Sequence, residues 1–348
     1  MLPKTLAVVS CILLTFTGAA SAQSATPVPT QKGPYEVAHI FHVGGEGGWD
    51  YLTVDPEHKL LFVPRSTHTM VLDADTGKSV ADIPGQKRNH GVAIVPSAGR
   101  GFITDGQEGS VTIFDLKTYS VQGKIKAADD ADGVIYDPAS DKVLVVCGDA
   151  GVLVPISPDV DPLTGKAEPA LDLGGKPEFL AADGKGKAYV NLVDKDQVAV
   201  VDTKNMKVLH HWPTAPGGSP VGMAMDPERH RLFVGCRRPQ KLIVMDATDG
   251  KILADLPIGS GVDATKFDGD VFASCRDGTL TVARETSPSK YQVVQVVKTP
   301  TGARTMGLDP STHTLYLPTA EMLPSEQGRR PAIKEGSFLI VVVTRQER

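Results

Sequence analysis

Cysteine is scarce and poorly placed for cross-links: the chain has four in 348 residues, and Cys11 falls in an N-terminal apolar stretch. The other three, Cys147, Cys236 and Cys275, form no CxxC or CxxCH pair. An odd number so dispersed excludes a disulfide framework, a zinc knuckle and covalently attached c-type haem. Aromatic residues are 5% of the chain and the net charge is −5. That argues against single-stranded nucleic acid as a partner, which requires a basic groove interleaved with stacking rings. No apolar run reaches the roughly 20 residues of a membrane-spanning helix. The 3.6-residue apolar period of a helical solenoid is also missing.

The longest apolar run covers residues 6–16 and belongs to a recognisable leader. Residues 1–22 hold one Lys, no acid, that run, and a small-residue Ala20-Ser21-Ala22 site before Gln23. This is the pattern of a secretory signal peptide and predicts a periplasmic or secreted protein. Val8-Val9-Ser10-Cys11 resembles a lipoprotein box, but too few apolar residues precede it for that reading. Beyond the leader the chain carries 35 basic and 41 acidic residues, a net −6. Residues 23–34 are small, polar and Pro-containing, which suits a flexible linker before the folded part.

What is abundant is repetition. The stretch KAYVNLVDKDQVAVVDTKNMKVLHHW recurs in outline as HRLFVGCRRPQKLIVMDATDGKILADLPIG. Each unit reads as apolar strand, turn, apolar strand, polar turn, strand ending in Asp, a second turn and a fourth strand. Taking the first turn residue as anchor, the copies fall at Asp55, Val95, Asp137, Asp183, Asp226, Asp268 and Asp309, at intervals of 40, 42, 46, 43, 42 and 41. Seven four-stranded units of this length predict a seven-bladed β-propeller of antiparallel blades over residues 35–348. The 35 Gly and 26 Pro agree with an all-β chain rich in turns. The seventh copy supplies only three strands, whereas YEVAHIFHVGG at 35–45 is β-rich and precedes the first inner strand. Residues 35–43 are therefore expected to pair with 337–344 and close the ring.

The repeated inner strand, Asp-Pro turn, Tyr/Phe-Val step and V-x-V-x-D-x-x-T-G-K segment resemble the YVTN-type, YncE-like propeller family. The tetrad itself is visible at Tyr189-Val190-Asn191, Phe233-Val234 and Tyr316-Leu317. The resemblance covers residues 35–345 and implies a fold. Members of such families include binders, lactonases and partners of cofactor enzymes, so it implies no single activity.

In an up-and-down blade, the connection into the first strand and the loop between second and third strands emerge on one face, where a site is expected. Five residues before each anchor stand Asp50, His90, Asp132, Glu178, Val221, Asp263 and Arg304. Six of the seven are ionisable, so the ring is either a solvated rim or a set of ligand-facing groups. The second-to-third-strand loops add Asp105, Glu108, Asp149 and Asp194 on one side and Arg65, Arg237, Arg238 and Arg276 on the other. The expected mouth is therefore polarised, an acidic arc facing a basic one. The ligand-binding candidates are Asp50, His90, Asp132, Glu178, Asp263, Arg304, Arg65, Arg237 and Arg276.

For catalysis the candidates are His90, with a carboxylate to orient it, and Glu178. Oxygen ligands from neighbouring blades, Asp132, Glu178 and Asn191, would suit Ca2+, and calcium-dependent lactonase propellers use this kind of constellation. The cysteines all close second strands and read as core packing. Two insertions, at 155–169 and 320–336, depart from the repeat; the second, on the mouth face, is a candidate lid or partner contact. These features point to an extracytoplasmic binding or protein-interaction propeller, with a lactonase-type hydrolase as the alternative.

Overall fold

The computed structural model describes residues 33–324 and 331–346. The expected signal peptide, most of the leader and residues 325–330 of the last insertion lie outside the described residues. Seven antiparallel sheets of four strands follow one another around a ring. The innermost strands are Thr53–Asp55, Asn89–Val95, Ala131–Asp137, Pro177–Ala182, Pro220–Asp226, Val262–Asp268 and Gly307–Asp309, one for each blade from 1 to 7.

Burial follows position within the blade. Second strands are covered on both faces by neighbouring sheets, so they are apolar without alternation: Leu60–Pro64 and Asp270–Cys275 are buried at every residue. Outer strands such as Ser79–Pro84 and Val121–Lys126 meet water, and each buries a single residue, Ile83 and Ile125. The turn chemistry read from the repeat is present as hydrogen bonds. Asp226 Oδ1 accepts from the backbone N–H groups of Glu228 and Arg229, both at 3.0 Å, and Asp309 Oδ1 accepts from Ser311 at 2.8 Å. Blade 2 has Val95 in place of the Asp, and there the turn becomes a short 3-10 helix, Pro96–Ala98.

Two glycines of the third-to-fourth-strand turn hold blades together. Gly77 and Gly250 have φ of 69° and 79°. A Cβ on either would stand 2.4 Å from an aromatic ring of the preceding blade, Phe41 and Trp212 respectively. Both the left-handed backbone and the close approach exclude a larger residue.

Ring closure has the expected form. Tyr35–His42 is the fourth strand of blade 7, beside Leu339–Arg345. The register runs from Tyr35 opposite Arg345 to His42 opposite Leu339, with a bulge between Val37 and His39. This strand also grips blade 6. Tyr35 is buried, donates its hydroxyl to Asp270 at 2.9 Å, and packs edge-on to Phe272 with ring centroids 5.0 Å apart. Its backbone exchanges two hydrogen bonds with the Gln295 amide, at 3.0 and 2.6 Å. The insertion at 157–170 shortens the outer strand of blade 3 to Leu171–Asp172 and is fastened to blade 2 by Arg100, which donates to Pro158 and Val160 carbonyls.

Tyr35→Ala should therefore destabilise the whole ring by about 3 kcal/mol or more, the usual cost of deleting a buried ring. Deletion of 34–43 should cost considerably more by baring a sheet edge. Chemical denaturation of the two variants checks this, and an unchanged midpoint for the deletion would refute closure by this strand.

Candidate functional site: the channel mouth

The inner strands do more than line the channel. Register irregularities recur near their starts, between Asn89/Val92, Ala131/Val134, Pro177/Leu180, Pro220/Gly222 and Val262/Ala264. A bulge re-aims the side chain beside it, and here the residues concerned are His90, Asp132, Glu178, Val221 and Asp263, five of the seven ring positions. Blade 5 has Val221 at the ring position, and Arg237, at the end of Arg231–Arg237, supplies the charge there instead.

On the side of blades 1 to 3, His90 Nδ1 lies 2.7 Å from Asp50 Oδ2 and 3.6 Å from Asp132 Oδ1. On the other side, Asp263 is gripped by Arg237 through a short ion pair and by Arg304 at 2.5 Å. Arg237 also reaches Glu178 at 3.8 Å, tying blade 4 to this group. The ring thus carries four carboxylates against His90, Arg237 and Arg304.

Protonation follows from this crowding. Burial by itself would lower the His90 imidazole, but Asp132 and Asp50 outweigh it and hold its pKa up at about 9. Arg88 Nε approaches His90 Nε2 at 3.3 Å, a contact that requires Nε2 to be bare. Arg88 thus opposes the rise, but it is exposed and paired with Asp130, and the two carboxylates outweigh it. Burial raises Asp132 well above the usual carboxylate range, against the pull of His90, and Asp50 and Glu178 add to the rise. Glu178 is raised by burial too, partly countered by Arg237, with Asp263 and Asp50 adding to the rise. Burial likewise raises Asp263, opposed by Arg237 and Arg304.

The floor of the mouth is closed one residue further along each strand, where Tyr51, Gly91, Gly133, Phe179, Gly222, Ala264 and Thr305 form a layer. Five are small, and two are rings. Tyr51 of blade 1 stacks on Phe179 of blade 4 with centroids 4.4 Å apart and planes at 18°. The Tyr51 hydroxyl donates to the Asp263 carbonyl of blade 6 at 2.5 Å. The glycines let neighbouring inner strands approach closely around this stack: a Cβ on Gly133 would lie 2.9 Å from Glu178 O and 3.2 Å from the Phe179 ring, and one on Gly222 2.7 Å from Thr265 N. Comparing the repeats at this position would have revealed the stopper, since two large aromatics stand out among small residues.

The wider polarised arcs do not survive. Lys124 reaches Asp105 and Glu108, Lys87 reaches Glu108, Lys176 reaches Asp149, and Lys195 reaches Asp194. These lysines sit in the acidic half and neutralise it locally, so polarity remains only in the innermost ring. Lys87 and Lys176 precede inner strands, in the connections between blades.

Arg65 is not at the ligand surface. It is fully buried and donates to the carbonyls of Gly44, Gly45, Gly47 and Gly48, with its guanidinium 3.7 Å from the Phe338 ring centroid. Burial lowers it to about 10, with the Asp82 carboxylate pulling the other way. Its task is to fold the glycine-rich segment that delivers Asp50. Arg276 is exposed at the rim of blade 6, its backbone bonded to Gly261 and Gly302. Asn191 is fully buried and donates its amide to the Gly222 carbonyl at 3.1 Å. The described residues bring Asp132 together with Asp50 and His90 instead, with one ligand atom from each lying within 4.8 Å of the others. An imidazole nitrogen with two carboxylates suits a borderline divalent cation better than calcium, which prefers six to eight oxygens. Such an ion would have to displace the proton that Nδ1 shares with Asp50.

The three cysteines are buried, and burial pushes the thiols of Cys147 and Cys236 up to about 12 and that of Cys275 higher still. They are unreactive at neutral pH. His68 faces Asp82 at 3.9 Å on blade 1 and makes no contact with His90.

No family model matches the chain. It is 26% identical over 230 residues to the uncharacterized protein YncE of Escherichia coli O157:H7, a match covering 63% of this chain and 65% of that protein, just under two thirds of its length. Among solved structures, a chain of the mitotic checkpoint complex superposes with a TM-score of 0.74 at 11% identity, covering 97% of this chain and 100% of that one. A chain of Kuenenia stuttgartiensis hydrazine synthase gives 0.68 at 14%, covering 78% and 92%. The Cps50 (Swd1) propeller domain of Myceliophteria thermophila gives 0.68 at 11%, covering 89% and 99%. Likeness at such low identity establishes the propeller architecture and nothing about ligand.

The raised His90 pKa has a signed consequence. The folded protein keeps the proton to about pH 9, whereas an unfolded imidazole releases it near 6.5. The stabilisation is therefore complete below pH 6.5 and is lost as pH rises through 9. The stability difference between the parent and His90→Gln should shrink by about 3 kcal/mol across that window. Urea denaturation of both at several pH values measures it, and a pH-independent difference would show that His90 is neutral in the fold.

Proposed function

We propose, from the premise that this chain is a YncE-like seven-bladed propeller, that it is a binding module acting outside the cytoplasm. Its channel mouth would take a small polar ligand with a positively charged end. The observation that carries this is the excess of partly desolvated carboxylates at a stoppered floor, with Asp132 and Glu178 both pushed up in pKa. A ligand ammonium placed there relieves both groups, because an opposite charge lowers a carboxyl pKa and stabilises its charged form. An acidic group on the same ligand, where present, would meet Arg237 or Arg304 across the mouth. The dimensions favour a small molecule over a chain that must thread through, since the Tyr51–Phe179 stack blocks passage.

His90 fits this reading as a fixed positive strut between Asp50 and Asp132. A lactonase-type hydrolase would ask it to accept a proton at a pH where it already holds one. Residues 1–22 support action outside the cytoplasm through their leader pattern.

The test is a thermal-shift panel of amines and amino acids beside their deaminated counterparts, run on the parent and on D132N/E178Q. An ammonium-bearing compound should raise the parent Tm while its deaminated counterpart does not. The double variant should bind it at least tenfold more weakly, as expected for losing hydrogen bonds to charged groups. Equal stabilisation of both proteins would place the site elsewhere, and turnover in a parallel lactone screen would replace the binding reading with the hydrolase. Expression of the full chain should yield protein outside the cytoplasm that starts at Gln23 by mass spectrometry; retention of residues 1–22 would overturn the location.

A further inference from the structure

Below the stopper, towards the Asp-Pro turns, the channel changes character. Two residues before the anchors the strands present Thr53, Ala93, Ile135, Ala181, Ala224, Lys266 and Gly307. Lys266 is the one charged residue in that layer. Its ammonium lies 5.6 Å from the Phe179 ring centroid, on the underside of the stopper. Among the described residues it makes no ion pair and no hydrogen bond, in contrast to Arg237 and Arg304 at the mouth. It lines a cavity of about 310 Å3 together with Val92, Val134, Ile135, Tyr136 and Phe179. A second hollow of about 490 Å3 shares Ile135, Tyr136, Phe179 and Lys266 and runs out to Pro138, Asp183 and Pro227 on the turn face. The lysine is thus reached from the face opposite the mouth.

The groups around it are occupied elsewhere. The Thr53 hydroxyl donates to Val92 O at 2.6 Å, the Tyr136 hydroxyl to Asp141 at 2.8 Å, and Tyr51 to Asp263 O. Asp183 accepts from the backbone N–H groups of Lys185 and Lys187 in its own turn. A part-buried lysine held against apolar walls without a counter-ion carries a desolvation cost that an arriving anion would offset.

We propose that this cavity is a second ligand site, in which the Lys266 ammonium anchors a small monocarboxylate whose apolar body lies against Phe179, Val92 and Ile135. One fixed positive charge and no spare donors match one negative charge. A dianion such as phosphate would bring charge that nothing here answers. The volume falls at the lower end of small-molecule pockets, suited to an acid of about one aromatic ring. The site is independent of the mouth, from which the stack separates it.

Burial alone lowers Lys266 from its usual 10.5 to about 8, so the anchor loses its charge over an accessible pH range. The probe is benzoate, followed by titration calorimetry, with benzyl alcohol as the neutral match in size. Parent protein at pH 7 should bind one benzoate, bind benzyl alcohol at least tenfold more weakly, and lose benzoate affinity progressively as pH rises past 8. Lys266→Met should abolish benzoate binding, while D132N/E178Q should retain it. The proposal is overturned if the parent does not bind benzoate, binds benzyl alcohol equally well, or binds benzoate unchanged up to pH 10. Those measurements need no variant. Undiminished binding by Lys266→Met, or loss in the mouth variant, would overturn it equally.

Discussion

Everything in this molecule depends on the pairing of its first strand with its last. A radial array of sheets buries each blade face against the next, and it does so for all seven only if the ring is shut. Without Tyr35–His42, blade 7 would present an unpaired edge and blade 6 would lose its Tyr35 contacts to Asp270, Phe272 and Gln295. Those contacts make the closing strand a clasp between two blades, so the geometry of a mouth built from seven strand starts is held by residues remote from it in sequence.

The fold was legible because its cause is local and repeated. Apolar second strands, Asx turns and positive-φ glycines each follow from short-range chemistry, and seven copies made the signal plain. Even the shortfall of one strand was readable as closure, with the pairing found at 339–345 in place of 337–344. The mouth was partly legible for the same reason: a fixed offset from the anchor located Asp50, His90, Asp132, Glu178, Asp263 and Arg304 together.

What the pattern could not supply was side-chain direction and compensation. Arg65 occupies a loop position similar to that of Arg237 at the mouth, yet it turns inward to satisfy four glycine carbonyls. Asn191 belongs to the repeat tetrad and spends its amide on a neighbouring inner strand. The acidic arc was real in sequence, but lysines from the outer strand, the blade-to-blade connections and the loop itself pair with it in space. Pairing between segments distant in sequence has no periodic signature, and so charge balance is the feature of a propeller least accessible to reading by repeats.

The Tyr51–Phe179 stack turns what would be a tube into two cups set base to base. Each exchanges its contents only with its own face of the disc, so occupancy of one need not gate the other. The cups also differ in sign: the upper ring has one more carboxylate than cations, and the lower holds a lysine without a counter-ion. The stopper therefore separates a carboxylate-rich layer from a layer whose one charge is a lysine. On that reading a cation and an anion are held on opposite faces of one disc without competing for the same groups.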